Sequence, residues 1–347
     1  MIILLTADPF IPVPPIHYGG IERVIHMLID GYVANGHQVH LLAHKDSNHP
    51  LVSSLHAWPK ENPVRTEHLQ CIQTLRKVVR ITEPDVIHSF CRLQYILGLR
   101  WSTKSFILQC YQREISVRTT GWAALIFPKN QLNFSACGAH MIESRWPHFD
   151  QWHVVHNCTD TDKLVQTDQV EVEHYVFLGR IEPIKGIEEA IQLAQRTHTP
   201  LRIAGNIEAE HRTFFETKVR PHIDGKTIQY IGTVDDAEKQ LLFAGAKAFL
   251  MLIQWEEPFG IVMAEALSCG VPILALNRGS VPEIVKDGFN GFRADTVDEL
   301  VKKAADLHTI DQANCRQDAL TRFSISSISK QYLDILEKGG QSCLRLS

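Results

Sequence analysis

The sequence predicts an α/β protein with two domains, each built from alternating strands and helices. The chain has 347 residues, more than one hydrophobic core usually accommodates. Short apolar runs alternate with helical periodicity in both halves, and the polar segment 156–170 separates them. We therefore predict domains over residues 1–165 and 166–323. A terminal segment, 324–347, has helical periodicity and no following strand, so it could pack back on the first domain.

Composition narrows the class of protein. The hydrophobic share of 44% suits a globular chain, and a net charge of −4 gives no reason to expect a nucleic-acid partner. The eight cysteines are scattered without a CxxC pair, which indicates small core residues in a reducing compartment. No apolar run reaches about 18 residues, so we expect no membrane span. The apolar start, Met1 to Leu5, is too short for a signal sequence, and we expect a cytoplasmic protein.

The first domain is predicted to begin with a βαβ unit. A strand over 2–7 leads into a proline-rich loop that ends in Gly19 and Gly20, and a helix and a strand follow. No GxGxxG is present, so a nicotinamide or flavin site is not expected. The elements predicted for this domain are strands over 2–7, 38–43, 85–87, 106–110, 133–136 and 152–155, helices over 21–35 and 69–81, and a loop over 44–66.

The helix predicted over 69–81 has a basic face formed by Arg76, Lys77 and Arg80. Such a face is commonly just solvated, although it could touch anionic lipid. A peripheral membrane contact is therefore an open alternative.

The second domain shows a more regular alternation, which favours a parallel sheet with crossover helices. Its predicted strands cover 175–178, 201–204, 227–231, 247–253 and 273–276. Its predicted helices cover 186–196, 208–219, 237–246, 261–269 and 297–307, with a helical turn near Pro282 and the terminal helix over 324–337.

A carboxylate, Glu265, lies inside the apolar helix predicted over 261–269. Burying it is costly unless a charge or hydrogen bonds compensate. Helical side chains lean towards the helix start, so Glu265 should lean towards Glu257 and the loop that follows a buried strand. Helix starts at such strand ends favour phosphate or sugar oxygens. Glu265 could therefore serve a ligand site or only the helix dipole.

Two cations follow the first strand of the second domain, in the sequence GRIEPIKG from Gly179 to Gly186. Arg180 and Lys185 are separated by a short turn at the mouth of a helix, an arrangement that suits a diphosphate. Surface salt bridging is the alternative interpretation.

His88 and the Asp160–Asp162 segment are two further candidates for a role in chemistry. His88 follows a strand at its carboxyl end, where it could be a packed residue or could meet a ligand between the domains. Asp160-Thr161-Asp162 forms a DxD, but Asp and Thr are ordinary turn and cap residues at a domain crossing. No other cluster completes a metal shell, so no metal site is predicted.

Together these segments resemble the motifs of the family 4 retaining glycosyltransferases, glycosyltransferase group 1. The matching segments occur in family order, and each is given with its counterpart: YGGIERV from Tyr18 to Val24 (the N-terminal glycine loop), DVIHSF at 85–90 (the strand-end histidine), GRIEPIKG at 179–186 (the phosphate segment), EPFGIVMAE at 257–265 (the E-x7-E segment) and RGSVPEIV at 278–285 (the G-G-x-P-E turn).

The resemblance implies the GT-B fold, in which two Rossmann-like domains face each other across a cleft. It implies a nucleotide sugar held mainly by the second domain and an acceptor held mainly by the first. Glu257 would grip the transferred sugar and His88 its far side, as the catalytic pair, and Glu265 would hold the ribose. The remaining implied donor contacts are Arg180, Lys185, Gly19 and Gly20 at the diphosphate, the amides of Phe259, Gly260, Ile261 and Val262 at the sugar, and Asn206, Thr233 and Val234 near the base.

The resemblance also implies retention of configuration by a same-face attack that the leaving phosphate assists. Rate would come from positioning and from stabilisation of separated charge. The co-substrate would be a UDP-sugar first and a GDP-sugar next, with no cofactor and no metal, and the acceptor a small molecule, a glycan or a lipid. A nucleotide-sugar-binding protein without turnover and a sugar-nucleotide epimerase on the same architecture remain alternatives.

Three segments depart from the family pattern. Residues 156–160 read HNCTD where the family often has P-N-G-V-D, and Ser280 replaces the second glycine of the G-G turn. The stretch 93–129, expected to include acceptor contacts, matches no motif.

Overall fold

The computed structural model describes residues 1–16, 19–143, 146, 148–167 and 174–344. Tyr18, the first residue of the predicted glycine loop, and residues 168–170 of the predicted crossing lie outside the described residues. The chain divides into two compact units. Unit 1 contains Met1–Cys158 and Ile325–Ser347, and unit 2 contains Thr159–Ser324.

Strands and helices alternate along most of the chain. Up to residue 158 the elements are β1 (Ile2–Thr6), α1 (Gly20–Ala34), β2 (Gln38–Ala43), β3 (Ser54–Ala57), α2 (His68–Thr82), β4 (Val86–Ser89), α3 (Leu93–Leu97), β5 (Phe106–Tyr111), α4 (Val117–Ile126), β6 (Leu132–Ala136) and β7 (Trp152–Val154). The later elements are β8 (His174–Leu178), α5 (Ile187–Arg196), β9 (Leu201–Ala204), α6 (Arg212–Phe214), β10 (Ile228–Gly232), α7 (Asp236–Phe243), β11 (Ala246–Met251), α8 (Ile261–Ser268), β12 (Ile273–Leu276), α9 (Val281–Ile284), β13 (Gly291–Ala294), α10 (Val297–Lys303), α11 (Gln312–Phe323) and α12 (Ile325–Leu344).

Each unit has one parallel sheet. The order is β3-β2-β1-β4-β5-β6-β7 in unit 1 and β10-β9-β8-β11-β12-β13 in unit 2. The strand order reverses beside β1 in the first sheet and beside β8 in the second, and ligands of open α/β sheets bind at the carboxyl edge of such switch points. The α/β prediction is confirmed, and the central strands are buried on both faces as their apolar runs predict.

The prediction of a loop over residues 44–66 is wrong, because β3 lies there. Its sequence, SLHA, alternates between half-buried and exposed positions, so it lacks the apolar run that marks the central strands. Among the described strands it lies at the edge of the sheet and pairs with β2 alone, and Ser54 Oγ lies 2.6 Å from His40 Nδ1 of that neighbour.

In unit 2 the sequence missed β13 and α11. The strand β13 is short and begins with glycine, a residue type that weakens a strand prediction. The single helix predicted over 208–219 is instead a 3₁₀ turn, the short α6 and a π-helical turn, Phe215–Val219.

The terminal helix α12 belongs to unit 1, where it packs against α1, β4 and β5. Gly31 of α1 allows the two helices to approach closely, since a Cβ there would overlap the Ser329 side chain. Unit 2 begins at Thr159, earlier than the predicted boundary at 165/166. The Thr159 amide donates to Phe323 O at 2.8 Å, and Arg316 bonds to Leu164 O at 2.8 Å, which attaches 159–165 to unit 2.

Within the described part of the chain, none of the helices is both long and apolar enough to cross a bilayer.

Candidate active site

The carboxyl edge of the unit 2 sheet positions the residues predicted to bind a nucleotide sugar. Thr233 and Val234 follow β10, and Asn206 follows β9. Arg180 and Lys185 come after β8, and the loop to α8 comes after β11. Because β10, β9, β8 and β11 are successive neighbours, the segments predicted for base, diphosphate and sugar follow each other along one edge.

Lys185 and Glu257 form the closest pair at this edge. Lys185 Nζ donates to Glu257 Oε2 at 2.5 Å, and Trp255 Nε1 donates to the same oxygen at 3.0 Å. The ammonium also lies 5.0 Å from the centroid of the Trp255 ring. Both side chains are mostly buried, with 18% of Lys185 and 13% of Glu257 exposed. The structure thus joins the predicted diphosphate residue and the predicted sugar residue through an aromatic neighbour that the sequence did not single out.

Gly186 fixes the turn that carries Lys185. Its φ of 75° lies in the left-handed region, and a Cβ there would overlap the carbonyl oxygen of Leu252 at the end of β11. Gln254 N–H donates to Ile184 O at 2.8 Å across the same contact. Glycine at this position therefore lets the turn that carries Lys185 pack against the chain just after β11.

The turn before α9 supports the Glu257 loop from the other side. Gly279 has a φ of 53°, and a Cβ there would overlap the backbone of Glu257. The Ser280 amide donates to Glu257 O at 3.0 Å, and its hydroxyl donates to Phe259 O at 2.7 Å. The serine that departs from the family's G-G turn therefore ties the loop together inside the protein.

Glu265 has its charge partner in α7. Lys239 Nζ donates to Glu265 Oε1 at 2.6 Å, and the two residues are 8% and 6% exposed. Asp236 is a second, exposed carboxylate 3.5 Å from the ammonium. Sequence reasoning required a partner for Glu265 but missed Lys239. The sequence placed Lys239 in a predicted helix but did not indicate its partner, because the pair joins two different helices, α7 and α8.

Arg180 lies between two carboxylates. Its Nη2 is 2.8 Å from Glu182 Oε1 and its Nη1 is 3.7 Å from Glu208 Oε1. Glu182 is 5% exposed, and its other oxygen lies 3.4 Å from His211 Nε2. These groups orient the guanidinium, which is 27% exposed, at the end of β8.

The first turn of α8 carries the remaining predicted sugar contacts. Gly260 is the N-cap residue of this helix, and Ile261 and Val262 begin it. The amide groups of a helix's first turn have no acceptor within the helix, so they can bind oxygens of a ligand. Phe259 is 1% exposed, and its ring packs edge-on against Phe323 at 5.6 Å, which anchors the loop.

His88, Gly19 and Gly20 lie in unit 1. Gly19 is the N-cap residue of α1 and Gly20 its first residue. His88 lies inside β4 and is fully buried, with Nδ1 2.9 Å from the Tyr32 hydroxyl and Nε2 2.9 Å from Cys110 Sγ. The structure therefore gives both ring nitrogens protein partners, and a sugar contact by His88 stays a prediction.

Burial makes His88 a source of acid sensitivity. It lowers the pKa of the ring to about 3. Between pH 6.5 and 3 the unfolded chain then binds a proton that the folded chain does not, so stability falls as pH falls. We expect the free energy of unfolding of the native protein to drop by about 2 kcal/mol more between pH 7 and pH 5 than that of a His88→Gln variant. Urea unfolding at both pH values measures this, and parallel pH profiles would contradict the assignment.

Unit 1 has a cavity of about 270 Å³ at the carboxyl ends of β1, β4 and β5. Asp8, Glu22, Arg92 and Arg113 are among its lining residues. Burial raises the pKa of Asp8 to about 6, against the opposing charges of Arg92 and Arg113. Burial, with a smaller contribution from Asp8, also raises the pKa of Glu22. The cavity thus places partly desolvated carboxyl groups opposite guanidinium groups.

Two buried polar atoms, each on a residue that lines this cavity, have no hydrogen-bond partner among the described residues. They are the Tyr111 hydroxyl and Gln112 Nε2, both buried. Gln112 is held in place by Asn157 Nδ2, which donates to its Oε1 at 2.7 Å. Such groups are available to hydrogen-bond a polar ligand. This cavity was not predicted, because its lining residues come from separate elements and form no motif in the sequence.

The potential metal ligands have other contacts. Asp160 Oδ1 of the DxD accepts the amides of Asp162 and Lys163 at 3.3 and 3.1 Å, so it closes a turn. His26, Asp30 and His49 also cluster. However, His49 Nδ1 accepts the Leu51 amide at 3.3 Å, which leaves the ring proton on Nε2, the atom facing Asp30 at 3.4 Å. A second cluster, Glu208, Glu210 and His211, adjoins Arg180, and its carboxylates can balance that cation.

Two protein-family models match this chain, one in each unit. Residues 162–319 match the family model of glycosyl transferases group 1, and residues 18–107 match that of glycosyltransferase family 4. The chain belongs to the family 4 glycosyltransferases of group 1. The Lys185–Glu257 pair, Arg180 and Glu265 all lie within the first matched segment.

Similar proteins of this family include the O-antigen chain mannosyltransferase B of Escherichia coli, which is 32% identical over 166 residues, 46% of this chain and 42% of the relative. The chain spans about half the length, or less, of the first curated relatives that it matches. Sucrose-phosphate synthase from Thermosynechococcus elongatus has a TM-score of 0.79 at 16% identity, with 97% and 98% of the two chains covered. The Anabaena HepE protein in complex with UDP and glucose has a TM-score of 0.73 at 17% identity, with 97% and 99% covered. At these identities the structural similarity concerns the fold, and it confirms the predicted GT-B class.

Proposed function

We propose that this family 4 glycosyltransferase transfers a sugar from a nucleoside-diphosphate sugar to an acceptor hydroxyl. The observation that carries the proposal is the Lys185–Glu257 pair at the ends of β8 and β11, beside the start of α8. A cation, a carboxylate and helix-start amides at one sheet edge supply the groups that a diphosphate and a sugar require.

In this proposal Arg180 and Lys185 bind the diphosphate and Glu257 binds hydroxyls of the transferred sugar. Glu265 binds the ribose hydroxyls, and Lys239 holds its carboxylate in position. A UDP-sugar is the first candidate donor and a GDP-sugar the second. The complex of HepE with UDP and glucose supports this order by analogy only.

The proposed reaction retains the configuration of the sugar. The bond from the sugar's anomeric carbon to the phosphate oxygen breaks, and a bond to the acceptor oxygen forms on the same face. The acceptor proton passes to the leaving phosphate, so no carboxylate nucleophile is needed. Positive side chains on the diphosphate would stabilise the charge that develops on the leaving group.

We further propose that the unit 1 cavity binds the acceptor. Its carboxyl groups and the buried polar atoms of Tyr111 and Gln112 can hydrogen-bond acceptor hydroxyls. A cytoplasmic location is part of this proposal and is supported by the eight free cysteines, seven of them buried.

Turnover assays distinguish this function from the alternatives. The purified protein is incubated with UDP-, GDP- and ADP-sugars, with and without pooled sugar and lipid acceptors, and nucleotide release is measured. We expect release that depends on acceptor. Binding without release would indicate a nucleotide-sugar-binding protein, and an altered sugar nucleotide without acceptor would indicate an epimerase.

Metal independence is a separate expectation of the proposal. Because Asp160 closes a turn and the proposal assigns the neutralisation of the diphosphate to Arg180 and Lys185, EDTA treatment should leave the transfer rate within about twofold of the untreated rate. Loss of activity that Mg²⁺ or Mn²⁺ restores would contradict this expectation.

A further inference from the structure

The helix α4 of unit 1 presents apolar side chains to solvent. Trp122 and Leu125 are 63% and 72% exposed, and Ile126 is 37% exposed. These positions are three and four residues apart, so they share one face of the helix. The residues that α4 buries are small, Thr120, Ala123 and Ala124. The usual amphipathic arrangement, with large apolar residues inward, is therefore inverted.

A second exposed tryptophan lies beside the end of this helix. Trp101 is 83% exposed. Arg100 connects it to α4, since its Nε donates to Ile126 O at 2.5 Å and its guanidinium carbon lies 5.8 Å from the Trp101 ring centroid. We call Trp101, Trp122, Leu125 and Ile126 the apolar face.

The segment of the sequence that carries the apolar face is rich in positive charge. The segment 92–129 contains six Lys or Arg and one Glu, a net charge of +5 in a chain whose total is −4. Arg118, within α4, and Lys104, after Trp101, are exposed. A strong local charge of one sign attracts an extended surface of the opposite sign.

We propose that the apolar face docks onto an anionic lipid bilayer. Its tryptophans would lie at the level of the headgroups, where such side chains are enriched, and Leu125 and Ile126 would enter the acyl boundary. Arg118 and Lys104 would contact lipid phosphates, each adding to the attraction. The helix has ten residues and lies on the unit, so the contact is peripheral.

The apolar face is a different surface from the basic face of α2, which the sequence suggested as a possible membrane contact. Arg76 Nε donates to the backbone oxygen of Gly98 at 2.7 Å. One of the three cations of that basic face is therefore held against the protein. The large exposed aromatic residues, Trp101 and Trp122, lie in the segment 92–129 that contains α4 and not on α2.

Vesicle binding tests the proposal without any donor or acceptor. The full chain is sedimented with vesicles of phosphatidylcholine alone or mixed with phosphatidylglycerol, at low and high salt. We expect binding only to the anionic vesicles, a decrease with salt, and a blue shift of tryptophan fluorescence. The double variant Trp122→Ser, Leu125→Ser should lower the partition coefficient by roughly tenfold or more.

The matched control is Leu241→Ser. Leu241 is 70% exposed, close to the value for Leu125, but lies on α7 of unit 2. The Leu241→Ser variant should bind vesicles as strongly as the native protein does. Circular dichroism confirms that the variants fold, and Trp101→Ser is a second variant should the double one not fold.

Three results would overturn the proposal. One is absence of binding to anionic vesicles, and another is equal binding of the native chain and the folded face variants. The third is self-association of the native chain in gel filtration that the face variants abolish, since this would make the apolar face a contact between two copies of the chain.

Discussion

Lys185→Ala is expected to weaken the binding of a nucleoside-diphosphate sugar by about 10- to 100-fold, the usual effect of losing a charge-assisted hydrogen bond. The substitution removes a cation from the end of β8 and also leaves Glu257 without the partner that lies 2.5 Å away. An unpaired carboxylate beside a diphosphate adds repulsion to the lost attraction. Isothermal titration with the best donor from a binding screen measures the change.

A lysine elsewhere in unit 2 controls for the loss of charge. Lys302 lies exposed on α10, so Lys302→Ala should leave donor affinity within about twofold of the native value. Lys185→Arg should retain part of the affinity, because it keeps the charge but not the compact ammonium. Equal affinities for Lys185→Ala and the native protein would refute the diphosphate assignment.

Lys239→Ala is expected to lower the free energy of unfolding by about 3–5 kcal/mol, because it leaves a buried carboxylate unpaired. Glu265 is only 6% exposed, and its Oε1 accepts from Lys239 at 2.6 Å. Replacing both partners, as Lys239→Met with Glu265→Gln, should restore most of the stability, since no buried charge remains. Urea unfolding of the single and double variants measures both effects.

The Asp236→Ala variant distinguishes the contribution of the buried Lys239–Glu265 pair to stability from that of the exposed Lys239–Asp236 pair. Asp236 is the other carboxylate near Lys239, at 3.5 Å and half exposed, so its loss should cost less than about 1 kcal/mol. If Lys239→Ala cost no more than Asp236→Ala, the buried pair would not be the partner that Glu265 requires.

The sequence predicted the interior of each sheet better than its edges. Strands such as β1 and β11 are buried on both faces and therefore appear as continuous apolar runs. Edge strands such as β3 carry half-exposed and polar residues, so their sequence does not differ from that of a loop. Pairing with β2 creates this strand, and pairing is a property of the folded chain.

Some residues of the candidate site were predictable from the sequence and others were not. Arg180, Lys185 and Glu257 were found because each follows a buried strand, and parallel strands bring their carboxyl ends to one edge. Lys239 was missed because its contact with Glu265 joins two different helices, and the two residues are 26 positions apart in the chain. The sequence placed His88 at a strand end, but only the structure shows its burial and its two partners.

A thermal-shift screen of UDP-, GDP- and ADP-sugars on the native chain tests whether unit 2 binds a nucleoside-diphosphate sugar. A ligand at 100 times its Kd should stabilise the folded protein by about 2.7 kcal/mol. We predict that a UDP-sugar raises the melting temperature and that Lys185→Ala abolishes the rise at the same concentration, whereas Lys302→Ala does not. An unchanged melting temperature with every nucleotide sugar would contradict the assignment of unit 2 as the donor-binding domain.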